Sequence, residues 1–304
     1  MSMAIVFPGQ GSQYVGMGKD FYSKLDKAKD YFNRANETLG YSLSQIMFEG
    51  SDESLKLTEN TQPALLCMSA VIWSLVKDNF NPVFFAGHSL GEYTALYAAG
   101  GFSFEEAVKA VHNRGKFMQT AVPVGVGGMS AVIGADDNTV IEVCSAVSKD
   151  DFIVEPANFN SPGQVVIAGI KEAVETAGEV LKSKGAKRII PLPVSAPFHC
   201  SLMKSAGIKM TKYLDDININ NLSTPIVSNV DAVQIDKADQ IKDSLIRQIS
   251  GAVRWTDSIK YMKSKGISKI VEVGAGSVLT GLVKKIDKEI ELLNISSVDD
   301  LEKL

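Results

Sequence analysis

Residues 82–101 read PVFFAGHSLGEYTALYAAGG, and the order of residue types within them decides the fold. Val83 to Ala86 are apolar and end a buried strand. Gly87-His88-Ser89-Leu90-Gly91 follows as a G-x-S-x-G turn. Leu90, Tyr93, Leu96 and Ala99 then recur at helical spacing until Gly100-Gly101 stops the helix. Flanking glycines let a backbone bend sharply between strand and helix, which lifts the central hydroxyl out of the sheet. The same geometry sets Ser89 at a helix N-terminus, where free N–H groups stabilise developing negative charge. Ser89 is therefore the candidate nucleophile; the competing reading makes it a helix cap between packing glycines.

Composition bounds what surrounds this unit. The 304 residues suffice for one large domain, or a large one carrying a smaller insert. Hydrophobic residues at 45% and charged residues at 22% are ordinary globular values. The net charge of −4 argues against general nucleic-acid binding, which favours a basic surface. Cys67, Cys144 and Cys200 are too few and too scattered for a disulfide framework or a thiolate metal site, which fits a reducing compartment. The longest apolar run, 63–76, is too short to span a bilayer, and no basic region precedes Ala4-Ile5-Val6-Phe7. The expected location is cytoplasmic, with no membrane association.

Outward from the elbow, residues 4–7 form a short buried strand followed by the turn Pro8-Gly9-Gln10-Gly11-Ser12-Gln13. The spacing predicts helices over 20–39, 61–76 and 104–120, with a polar stretch around 50–59. After the Pro/Gly-rich break at 122–128 the pattern changes to strand 129–133, helix 136–147, strands 152–159 and 164–168, helix 171–184 and strand 186–192. That β-α-β-β-α-β order is ferredoxin-like and marks residues 125–194 as an inserted subdomain. The chain returns through Ser195-Ala196-Pro197-Phe198-His199, with helices over 203–214, 239–250 and 256–265 and strands at 226–229 and 270–273. The expected fold is α/β: a hydrolase-like core of residues 1–124 and 195–304 with a mainly parallel sheet, plus the ferredoxin-like α+β insert. Three strand–glycine turn–helix units (Phe7/Gly9, Ala86/Gly87, Val273/Gly274) place their turns along the carboxyl edge of such a sheet, where ligands bind. A dinucleotide fingerprint at Gly274-x-Gly276 is disfavoured, because Leu279 stands where its third glycine belongs.

A serine needs a base, and there are three histidines. His88 adjoins Ser89, with its side chain expected to point away; His112 lies on a polar helix flank as a solvated or capping residue. His199, in the loop that re-enters the core, is the best-placed base. No acid between Ser89 and His199 has a loop context that completes a Ser…Asp/Glu…His order, so a Ser–His pair oriented by something other than carboxylate fits better. Arg114, just beyond the Ser89 unit, suits bidentate binding of a carboxylate or is an ordinary snorkelling arginine.

Several further stretches, taken together, narrow these alternatives: Phe7-Pro8-Gly9-Gln10-Gly11-Ser12-Gln13, Gly87-His88-Ser89-Leu90-Gly91-Glu92-Tyr93, Arg114-Gly115 with Met118-Gln119, Asn158-Phe159-Asn160-Ser161-Pro162-Gly163-Gln164, Pro197-Phe198-His199, Gln248 and Val253-Arg254-Trp255. With them the chain resembles, over nearly its whole length, the malonyl-CoA:acyl-carrier-protein transacylases of fatty-acid synthesis. The resemblance implies Ser89 as acyl carrier, His199 as base and then acid, and the N–H groups of Gln10 and Leu90 as oxyanion hole. It implies Arg114 on the malonyl carboxylate, with Met118, Phe198 and Asn160 also binding substrate. The backbone carbonyl of Gln248 would orient His199 in place of a triad acid. Phe198 resembles the malonyl-selective members. Gly251-Ala252 departs from the Asn-Pro of many members and predicts a looser loop beside Gln248. The implied reaction is ping-pong transfer of malonyl from malonyl-CoA to the phosphopantetheine of acyl carrier protein, without metal or bound cofactor, by a monomer. A polyketide-serving acyltransferase, a serine thioesterase or esterase, and a silent carrier-protein scaffold are the alternatives.

Overall fold

The computed structural model describes residues 2–194 and 196–304; Ser195, which opens the predicted return segment, lies outside the described residues. Among the described residues ten strands form two sheets: β1 (Met3–Phe7), β2 (Phe84–Gly87), β3 (Gly127–Ile133), β4 (Val154–Ser161), β5 (Gln164–Ile170), β6 (Arg188–Pro191), β7 (Ile226–Val227), β8 (Gln234–Ile235), β9 (Lys269–Val273) and β10 (Glu291–Ile295). The larger sheet runs β10-β9-β1-β2-β7-β8. Its first five strands are parallel and β8 is antiparallel to β7. Strands buried on both faces read as unbroken apolar runs, and β1 and β2 are such runs, each almost wholly excluded from solvent.

The smaller sheet, β4-β5-β3-β6, is antiparallel throughout and built from residues 127–191. Its strand order, with the helices Asp137–Val147 and Lys171–Ser183 as crossovers, is that of a ferredoxin-like unit. These helices pack Val140, Val143, Ala173, Ala177 and Leu181 onto its inner face in a core separate from that of the main sheet.

Where the structure differs from the periodicity, local physics gives the reason. The helix expected over 20–39 is two, Lys19–Lys24 and Asp26–Leu39, because Leu25 is extended (φ −132°, ψ 115°). The polar stretch near 50–59 contains the short helix Asp52–Lys56, capped by the Ser51 hydroxyl. Strand β10 went unpredicted: its side chains are half-buried at a sheet edge, so it lacks a fully apolar run.

The helix Thr58–Val76 is buried on all sides and carries Pro63 inside it. A proline there has no N–H for the carbonyl four residues back. That carbonyl, Glu59 O, instead accepts a hydrogen bond from His112 Nδ1 at 3.0 Å. His112 is thus a capping residue of an unusual kind, satisfying a carbonyl in the first turn of a neighbouring helix.

Candidate active site

The elbow is built as its residue types require. Strand β2 ends at Gly87 and the helix Gly91–Ala98 begins four residues later, with Leu90 as its N-cap. A Cβ on Gly91 would collide with the Phe7 carbonyl, and one on Gly87 with the Gly91 backbone; only glycine lets the turn close against β1. Ser89 itself sits at φ 52°, in the left-handed region, a strained position for a residue with a side chain. Three hydrogen bonds from distant elements hold it there. Its N–H donates to Asn229 Oδ1 at 2.7 Å, Asn229 Nδ2 donates to Gly87 O at 2.7 Å, and Gln248 Nε2 donates to Ser89 O at 2.9 Å.

Ser89 Oγ lies 2.6 Å from His199 Nε2, and His199 Nδ1 donates to the backbone carbonyl of Gln248 at 2.9 Å. That second bond puts a proton on Nδ1, leaving Nε2 free to accept from the serine hydroxyl. Burial, with the Arg114 guanidinium nearby, pushes the imidazole down to about 3, while the Gln248 carbonyl opposes the shift. His199 is therefore neutral at any ordinary pH and able to take a proton. Gly251 adopts ordinary extended backbone (φ −104°, ψ 152°) beside Gln248, whose carbonyl keeps full hydrogen-bonding distance.

Arg114, 1% exposed, reaches the same point from the helix Phe104–Gln119. Its Nη1 donates to Gln62 Oε1 at 2.8 Å; its Nη2 donates to Gln248 Oε1 at 2.9 Å and to Ser89 Oγ at 3.1 Å. The guanidinium also lies 5.5 Å from the centre of the Tyr93 ring, a cation–π distance. Snorkelling is excluded by this burial.

The cavity around Ser89 is lined by Gln10, Arg114, Met118, Phe198 and His199 from the expected set, joined by Gln62, His88, Met129, Asn158, Leu192 and Val194. Leu90 is not among the lining residues; it is the N-cap of the helix Gly91–Ala98, directly after Ser89. Asn160 is placed elsewhere. It lines an adjoining cleft with Gly9, Ser12 and Leu279, and its Oδ1 accepts from His88 Nε2 at 2.8 Å. His88 borders both spaces with its Nε2 engaged, and burial lowers its pKa.

Three participants were not singled out from sequence: Gln62, Asn229 and Glu92. Asn229 ends the segment 226–229 at the carboxyl edge of the sheet, a signal that would have found it. Glu92 follows the elbow, has no exposure, and accepts from Asn229 N at 3.0 Å and Gln248 Nε2 at 2.9 Å. Burial pushes its carboxyl up to about 7 against these donors and Arg114. Among the described residues no cluster of three or more His, Cys, Asp or Glu side chains could hold a metal ion, and no helix is long and apolar enough to cross a membrane.

Residues 4–300 match the acyl transferase domain family. A malonyl CoA-acyl carrier protein transacylase of Bacillus subtilis (strain 168) is 46% identical over 302 residues, covering 99% of this chain and 95% of the relative. The enzyme of the same name from Escherichia coli (strain K12) is 46% identical over 299 residues, covering 98% and 96%. Among solved structures, an acyl carrier protein S-malonyltransferase from Vibrio cholerae superposes with a TM-score of 0.96 at 46% identity, covering 100% of this chain and 99% of that one. A malonyl-transacylase in complex with its type II PKS acyl-carrier protein superposes at 0.97 and 43% identity, covering 100% and 98%.

Proposed function

Because the chain belongs to the acyl transferase domain family and is 46% identical to malonyl CoA-acyl carrier protein transacylases along nearly its whole length, we propose that it moves a malonyl group from coenzyme A to acyl carrier protein through an ester on Ser89. One observation carries the choice of malonyl: the guanidinium of Arg114, buried, sits 3.1 Å from the Ser89 hydroxyl. A buried cation beside a nucleophile suits an acyl group that ends in its own carboxylate.

The Ser89–His199 and His199–Gln248 distances support the following steps. Ser89 Oγ gives its proton to His199 Nε2 and attacks the thioester carbonyl. The N–H groups of Gln10 and Leu90 receive the oxyanion. The tetrahedral adduct collapses, and the departing sulfur takes the proton from His199 Nε2. In the second half the phosphopantetheine thiol yields its proton to His199 and attacks the ester, and Ser89 leaves with that proton. A thiolate is a good leaving group, so a base held by a carbonyl instead of a carboxylate suffices. Arg114 also holds His199 weakly basic, and a carboxylate paired with the guanidinium removes that penalty. Malonyl thus strengthens the base that acts on it, while acetyl does not.

Met118 and Phe198 shape the pocket; Asn160 supports it through His88. The ferredoxin-like unit, taken as residues 125–194 between core segments 1–124 and 195–304, supplies one wall through Met129, Asn158, Leu192 and Val194. Coenzyme A and phosphopantetheine enter as substrates, and no bound cofactor takes part. The same site could serve a polyketide carrier protein, as in the type II PKS complex; which carrier is used depends on the outer surface. Intact-protein mass spectrometry after addition of malonyl-CoA tests the reading. A malonyl adduct that disappears in Ser89→Ala supports it, and an adduct that persists there overturns it.

A further inference from the structure

We propose that Glu92 is a positioning residue: it holds the amides of Gln248 and Asn229, and through them keeps Arg114 in register with Ser89. The inference rests on the assignment of Ser89 and Arg114 given above.

A fully buried carboxylate is expensive, and an apolar side chain of similar volume is often the more stable choice. Glu92 nevertheless lies in the first turn of the helix Gly91–Ala98 with no exposure. Its Oε2 accepts two bonds, from Asn229 N at 3.0 Å and Gln248 Nε2 at 2.9 Å, and its Oε1 faces Ser244 Oγ at 3.4 Å. Both residues held by Oε2 reach the nucleophile directly. Asn229 Oδ1 takes the Ser89 N–H, and Gln248 Nε2 donates to Glu92 and Ser89 O at 2.9 Å each, with Asn229 Oδ1 a longer third acceptor at 3.3 Å. At its other end, Gln248 Oε1 accepts from Arg114 Nη2 at 2.9 Å. The Gln248 amide is therefore a strut between Glu92 and Arg114. With Glu92 removed, Nε2 keeps one short bond, to Ser89 O at 2.9 Å, and only a long contact to Asn229 Oδ1 at 3.3 Å, so the strut loses one of its two short bonds at that end. The Asn229 N–H is orphaned at the same time, which loosens the clamp on a residue already strained at φ 52°.

The ratio of kcat/KM for malonyl-CoA to that for acetyl-CoA separates this role from a structural one. Loss of folded enzyme lowers both rates equally and leaves the ratio unchanged. Misplacing Arg114 penalises the substrate with the carboxylate. Glu92→Leu is expected to lower the ratio about 10- to 100-fold, the usual worth of a hydrogen bond to a charged group. Glu92→Gln should restore most of it, because its single carbonyl oxygen can accept from both Asn229 and Gln248 while its NH2 donates to Ser244 Oγ. A folded Glu92→Leu enzyme with the wild-type ratio overturns the proposal, as does a Glu92→Gln enzyme impaired as severely as the leucine variant. Should Glu92→Leu fail to fold, Glu92→Asp withdraws the carboxylate by one methylene and carries the same test: a lowered ratio supports the proposal and a wild-type ratio overturns it. Arg114→Ala is measured alongside. If it too keeps the wild-type ratio, the carboxylate is read elsewhere and the assignment of the site itself falls. If it loses the ratio while Glu92→Leu keeps it, only the role of Glu92 falls.

Discussion

At the scale of single residues, the role proposed for Arg114 is to decide substrate choice by charge. It is buried beside a nucleophile, so an acetyl group leaves it without a counter-charge, whereas malonyl brings one that can take two parallel N–H bonds. Removing one member of a buried charge pair costs about 3–5 kcal/mol, roughly two to three or more decades in rate. Arg114→Ala should lose malonyl transfer on that scale while acetyl transfer is kept or rises, and Arg114→Lys should fall between; kcat/KM for both thioesters measures it. His199 gives a prediction in pH. Its folded-state pKa is depressed to about 3, against about 6.5 when unfolded. Above pH 6.5 both states are neutral and the full stability is present. As pH falls from 6.5 toward 3, only the unfolded chain gains the proton, so stability is lost across that window. Malonyl loading should accordingly show no inflection near pH 6.5, and His199→Gln should flatten the fall of unfolding free energy below it. Denaturant midpoints between pH 4.5 and 8 check the second point. The sequence made Ser89 and His199 legible because turn glycines and scarce histidines leave few candidates. Gln62 was not legible, since a neutral amide inside a helix has no signature until folding brings a charge to it, and Asn229 was marked only by its place at the end of the strand segment 226–229.

At the scale of elements, apolar periodicity located the long helices and most of the strands. It failed where a single dihedral decides the outcome, as at Leu25, and at the half-buried edge strand β10. Pro63 is a different kind of case, because its local rule is broken and compensated from another helix. His112→Ala would leave the Glu59 carbonyl unsatisfied in a packed interface. That should cost about 1–3 kcal/mol, or roughly 2–4 °C in Tm for each kcal/mol in a chain of this size, with the malonyl-to-acetyl ratio unchanged. Thermal unfolding and the two-substrate assay together check it; a change in the ratio would mean that the helix Thr58–Val76 transmits to Gln62 and Arg114.

At the scale of the whole molecule, an enzyme with net charge −4 needs a local basic face to meet an acidic carrier protein. Lys182, Lys184, Lys187 and Arg188 are exposed at the end of the ferredoxin-like unit. Strand β6, which begins at Arg188, runs on into Leu192 and Val194 at the wall of the Ser89 cavity. Lys187→Glu with Arg188→Glu should raise the KM for carrier protein and leave malonyl-CoA kinetics unaltered; an unchanged KM removes this face from the account.

The strand order sets a timetable. β1 and β2 lie side by side, yet β1 waits for β9, and the clamp on Ser89 waits for Asn229 and Gln248. In order of synthesis Ser89 precedes Asn229 and Gln248, so the serine is made well before the residues that hold it in its working conformation. Growing chains therefore lack the assembled site until the segment that carries Asn229 and Gln248 has been made and folded against the elbow.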